Sequence, residues 1–157
     1  MDKTDYETTT QIVNGYWYTF EYKPPKMVAG YDRYPFIYCI GPCEFNINCF
    51  EGLNLHQMPL GARMEFMTEF DRVSHFRDSD ERKVYTREFI INGIYQNCQN
   101  AIRIYNRKNV WNPIRILNKS VPWYITYDGD IMFKKPDYVM NKYLLDSGKN
   151  NTTEARR

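Results

Sequence analysis

Three aromatic-rich runs before Pro59, each closed by proline or glycine, constrain this chain more than any other feature. The run 14–23, "NGYWYTFEYK", follows an Asn14-Gly15 turn and alternates aromatic with polar residues up to Pro24-Pro25. A period of two in Tyr, Trp, Phe and Thr is a strand pattern. The run 34–40, "YPFIYCI", is stopped by Gly41-Pro42, and 49–58, "CFEGLNLHQM", by Pro59. Three short neighbouring strands are therefore expected. Gly52 inside the third marks a bulge or a close backbone approach.

After Pro59 the period changes. Leu60, Met64 and Met67 fall at helical spacing, with Phe66, Phe70 and Val73 widening the stripe over 60–76. A polar connector follows, with Ser79 and Asp80 as candidate caps. A second helix is expected to start between Asp80 and Thr86. Its apolar face would hold Phe89, Ile90, Ile94, Cys98, Ala101, Ile102 and Tyr105, and Asn109 and Pro113 would end it. Residues 114–117 and 121–127 look extended, and Asp128-Gly129 is a hairpin signal. Strands first, then two amphipathic helices, then a late hairpin predict an α+β fold. The sheet would be small, curved and antiparallel, or an SH3-like partial barrel. The expected organisation is a flexible arm over 1–13, one domain over 14–138 and a polar tail over 139–157.

The 157 residues suffice for one core without a disulfide or metal staple. Tyrosine supplies 14 of them, a flat apolar body with a polar tip that suits surfaces buried against a partner. Net charge is only +2, so any electrostatic partner must be read from local patches. No run is long and apolar enough to span a bilayer, and the start "MDKTDYETTTQ" lacks a signal-peptide core, so a cytoplasmic product without membrane contact is expected. In that compartment four cysteines read as free thiols.

Cys39, Cys43, Cys49 and His56 do not have the paired spacing of a zinc site, and Cys39 lies inside a strand. Cys49 and His56 are seven residues apart on one expected strand, about 20 Å if extended, which argues against a Cys-His dyad. His75, at a helix end, suits a C-terminal charge complement. Asp78, Asp80 and Glu81 are interspersed with Arg77, Arg82 and Lys83, as in a solvated loop. There is no P-loop, G-x-G-x-x-G, H-E-x-x-H or G-x-S-x-G motif. No catalytic residue, metal or cofactor is expected. The strongest local signal is "AIRIYNRKNVWNPIRILNK", 101–119. It carries Arg103, Arg107, Lys108, Arg115 and Lys119 without an acid, a segment charge of +5 against −3 for the rest. Tyr105, Trp111, Asn106, Asn109 and Asn112 are interleaved, the stacking rings and amides that join these cations in a nucleic-acid surface. The same residues would also serve a helix end or an acidic protein partner.

"YDRYP" followed by "GLNLHQMP" and an amphipathic helix resembles a family of small late-gene proteins of T4-like and related tailed bacteriophages. Tyr31, Asp32, Arg33, Tyr34 and Pro35 match its Tyr-Asp-Arg-Phe-Pro block. Gly52, Leu53, Asn54, Leu55, His56, Met58 and Pro59 match its second block, with Gln57 in a Tyr place. The likeness spans about residues 16 to 135, and the insertion "PCEFNIN" departs from it. The resemblance implies a structural or DNA-end-associated virion protein, made in the host cytoplasm and part of an oligomeric assembly. Its partners would be other phage structural proteins, with DNA as a further one. Asp32 is expected to pair with Arg33 or the backbone, and His56 to lock the strand junction near Tyr31 or Asp32. Two other readings stand beside it. One is a nucleic-acid-binding accessory protein of the infected cell. The other, by fold analogy alone, is an endoribonuclease of the MazF type using Arg33 and His56.

Overall fold

The computed structural model describes residues 6–74, 82–94, 100–118 and 121. Six strands form one open antiparallel sheet: β1 (Tyr6–Thr8), β2 (Trp17–Tyr22), β3 (Phe36–Pro42), β4 (Cys49–Asn54), β5 (Ile102–Asn106) and β6 (Val110–Ile116), in the order β1-β6-β2-β3-β4-β5. Helix α1 (Leu60–Ser74) follows β4, and a short α2 (Arg87–Phe89) runs into one π turn at Ile90–Ile94. The architecture is α+β.

Strand β2 is buried at all six positions, on both faces. Alternation separates two aromatic clusters. Trp17 meets Phe36, Tyr38 and the α1 residue Phe66 edge-on, at ring distances of 6.3, 5.4 and 5.7 Å. Phe20, one face away, meets Phe50 and Tyr105 at 6.0 and 5.3 Å. Among the described side chains of α1, Ala62 and Phe66, one helical turn apart, are buried, whereas Met64 is exposed. The segment before α2 docks on the Asn14-Gly15 turn. Lys83 N–H donates to Gly15 O (3.1 Å), Arg82 Nε to Asn14 O (2.7 Å), and the Tyr38 hydroxyl donates to Lys83 O while accepting from Tyr85 N–H.

Strand β5 departs from expectation. Ile102 and Tyr105, placed on the second helix by their spacing of three, lie instead in a strand paired with β4, where Tyr105 opposes Phe50. Two β-branched isoleucines alternating with Arg103 and Tyr105 favour that pleat, and the pairing buries the Tyr105 ring completely. The described helical part runs from Arg87 to the π turn at Ile90–Ile94, Phe89 is exposed rather than part of a buried face, and Cys98 lies outside the described residues. The arm expected over 1–13 also contributes structure, because Tyr6–Thr8 pairs with β6. In β6, two residues, Asn112 and Pro113, stand opposite Phe20 alone. Asn112 takes a left-handed φ of 50°, and Pro113 has no N–H to leave unpaired, so the pair forms a bulge. The 121–127 strand beyond Val121, the Asp128-Gly129 hairpin and the 139–157 tail lie outside the described residues.

The sheet curls. After β5 the chain makes one 3-10 turn at Arg107–Asn109 and enters β6, whose Val110 pairs with Tyr22 at the end of β2. The Tyr22 hydroxyl consequently reaches β5 and accepts from Asn106 N–H at 3.1 Å.

Candidate functional site

The loop between β2 and β3 carries Tyr31, Asp32 and Arg33 to the end of β4. Gly30, at a φ of 88° that only glycine adopts without strain, turns the chain, and its carbonyl accepts from Arg103 Nε at 2.8 Å. Tyr31 then stacks on Tyr22, with ring centroids 5.7 Å apart. Its hydroxyl donates to Ile104 O (2.8 Å) and accepts from Ile104 N–H (3.3 Å). Strand β5 is a sheet edge, and these two tyrosine hydroxyls satisfy backbone groups that an edge otherwise leaves open to a second chain.

Asp32 is the centre of a polar cluster. Asn54 Nδ2 donates to Oδ2 at 2.9 Å, Gln57 Nε2 reaches Oδ1 at 3.4 Å, and His56 Nδ1 lies 3.5 Å from Oδ2. Asn54 is fully buried. Its Oδ1 accepts from His56 N–H (2.9 Å), capping the 3-10 turn Leu55–Gln57, and its Nδ2 also faces the Tyr105 hydroxyl at 3.4 Å. The local sequence explains the placement. Strand β4 ends at Asn54 because an asparagine side chain offers the next amide a closer partner than the ladder does. Gly52 lets β4 approach, since a Cβ there would lie 2.7 Å from Ile37 Cδ1 and 3.2 Å from Tyr105 Cε2. Pro35 precedes β3, and Arg33 turns away from Asp32. Both its Nε and its Nη2 donate to Glu21 Oε2, at 3.1 and 2.9 Å, and Lys23 Nζ sits 3.5 Å from Glu21 Oε1. Arg33 thus pairs with Glu21 rather than with Asp32, whose carboxylate faces Asn54, Gln57 and His56.

Burial alone would raise the Asp32 carboxyl. Hydrogen bonds from His56 and Asn54, the imidazole charge and Gln57 outweigh it and hold the group below its ordinary value. A depressed carboxyl stabilises the fold above the unfolded-state value, and that contribution is lost as pH falls through the folded-state value. Asp32→Asn should therefore lower stability by about 1–2 kcal/mol at neutral pH. The gap from the parent should close in urea titrations run between about pH 5 and pH 2. A gap that widens on acidification would contradict this assignment.

Asn54 and Gln57 donate to the Asp32 carboxylate and the His56 imidazole lies against it, and a carboxyl held ionised is a poor general acid at neutral pH. Two open clefts among the described residues, of about 940 and 450 Å³, are lined elsewhere, one by Thr8–Ile12 and the start of β6, the other by the β3–β4 hairpin and α2. Arg33 and His56, the pair an endoribonuclease would converge on phosphate, are each held on a different carboxylate. Cys39 is buried, which pushes its thiol up to about 12 and away from nucleophilic use. Among the described residues no three His, Cys, Asp or Glu groups gather as metal ligands.

The basic segment is partly engaged within the fold, with Arg107 and Lys108 exposed and Arg103 and Arg115 half-buried. Tyr105, expected to stack on a ligand, is fully buried and cannot. Arg103 is held by Gly30 O and by Asn100 O (2.5 Å). Arg107 donates to Ile12 O (3.1 Å) and lies over the Phe50 ring, and Arg115 pairs with Glu7 and lies over Tyr16. Lys108 is exposed, as is Trp111, whose ring carries Lys23 Nζ 4.9 Å from its centroid. Lys119 lies outside the described residues.

No family model, curated protein or solved structure matches this chain. The site residues that sequence reasoning passed over are Glu21, Tyr22 and Gln57, together with the tip of the β3–β4 hairpin. There Phe45 and Ile47 are 76% and 81% exposed. Large apolar side chains alternating with Glu44, Asn46 and Asn48 in a turn, within the insertion "PCEFNIN", were the available signal.

Proposed function

We propose that this chain is a non-catalytic component of a tailed-phage virion, at the neck, baseplate or packaged DNA end. It joins an oligomeric assembly by protein contacts centred on the β3–β4 hairpin. The observation that carries the reading is the hairpin tip. Two large apolar side chains project from a folded turn into solvent, in the manner of anchors that fill a partner's pocket. The motif likeness supplies the phage context, and the internally bound Asp32 cluster supports a role without chemistry. The meander β2-β3-β4-β5, with β6 returning through one 3-10 turn to pair with β2, supports an SH3-like partial barrel as the scaffold. The bulges after Thr19 and Cys39 supply the coiling such a barrel needs.

Replacing Phe45 and Ile47 together by serine tests this directly. Folding stability should change by less than about 0.5 kcal/mol, because neither side chain is buried. Incorporation of the chain into particles should fall at least about tenfold, the loss of roughly 1.4 kcal/mol or more of binding. Unchanged incorporation would exclude the hairpin as the anchor.

A second reading has one observation in its favour. Trp111, with Lys23 over its ring and Lys108 nearby in sequence, is an exposed aromatic-cation surface of the kind that holds single-stranded nucleic acid. Under it, the protein acts in the host cytoplasm.

A further inference from the structure

Cys43 and Cys49 face each other across the base of the β3–β4 hairpin. Pro42 pairs with Phe50 at the end of the ladder, and one step further Cys43 N–H donates to Cys49 O at 3.1 Å while Cys49 N–H turns to Asn46 O at 3.0 Å. Residues opposed across an antiparallel pair have Cα atoms about 4.5–5.5 Å apart and side chains on one face. That spacing falls within the roughly 4.4–6.8 Å that a disulfide spans. Both residues are free thiols. Cys43 also lines the open cleft of about 450 Å³ beside α2, so a small reagent can reach its sulfur although the residue is only 6% exposed.

We propose that Cys43 and Cys49 form a dithiol site that a small-molecule disulfide oxidises to an intramolecular disulfide, closing a ring across residues 44–48. The Cys43 thiolate attacks one sulfur of the disulfide reagent, and the first thiol leaves. The Cys49 thiolate then attacks the Cys43 sulfur of this mixed disulfide, and the second thiol leaves. Two protein thiols are oxidised, one disulfide reagent is reduced to two thiols, and the two protons pass to the departing thiolates. Cys39 takes no part, because it lies on β3 opposite Gly52, further down the ladder. The ring encloses Phe45 and Ile47 and so fixes the turn that presents them. The chemistry itself rests on the hairpin alone and is independent of the virion reading.

The test uses the full chain and oxidised glutathione at about pH 9.5, because burial and the nearby Glu51 hold the Cys43 thiol above its ordinary value. Remaining thiols are alkylated, and the chain is cleaved after Glu44, which lies between the two cysteines. The expected result is a Cys43 peptide joined to a Cys49 peptide and separated by reduction, with Cys98 alkylated. Cys49→Ser should instead retain one glutathione on Cys43. If the parent chain shows Cys43 and Cys49 both alkylated, glutathione retained on either, or a link to Cys39 or Cys98, the proposal is overturned.

Discussion

Trp17→Ala will cost about 3–5 kcal/mol of folding stability. Trp17 is fully buried where the sheet meets α1, and its ring touches three others. Truncation removes a large apolar surface and leaves a cavity between β2, β3 and α1. Phe36 and Tyr38 are fixed by the β3 ladder and cannot collapse into it. The loss should also free α1, whose described buried contacts are Ala62 and Phe66. Urea unfolding followed by far-ultraviolet circular dichroism measures it. A cost below about 1.5 kcal/mol would mean that α1 does not depend on this contact.

Asn54→Ala should cost about 2–4 kcal/mol, from two sources. The 3-10 turn loses its cap at His56 N–H, and the Asp32 carboxylate loses its shortest hydrogen bond. Paired with Asp32→Ala, it should show a coupling of about 1–3 kcal/mol in a double-mutant cycle, because the two side chains act on one junction. Additive losses would show that Asp32 and Asn54 stabilise the fold separately, and the lock would be reduced to two unrelated contacts.

Strands β2, β3 and β4 were legible because Pro24-Pro25, Gly41-Pro42 and Pro59 cut the chain into strand-length pieces. Helix α1 was legible because Pro59 is followed at once by a change of period. Strand β5 was misread because Ile102 and Tyr105 satisfy both a helical spacing of three and a strand. Only pairing with a partner about fifty residues earlier decides between them. Strand β1 has three residues and one buried side chain, Tyr6, too little pattern to register. At the site, the nearness of Asp32 and His56 followed from two adjacent strand ends. The tyrosine hydroxyls that close the β5 edge did not, since they depend on how far the sheet curls. In the basic run 101–119 carbonyls and rings far away in sequence engage Arg103, Arg107 and Arg115, contacts that the charge pattern alone does not show.

The measurement that bears most directly on the central claim is quantitative mass spectrometry of purified phage particles grown from a genome carrying this gene. The account predicts a fixed number of copies in every particle, retained through washing in high salt. Absence from particles that are otherwise complete would contradict it, and would favour a role in the infected cell through the Lys23–Trp111 surface.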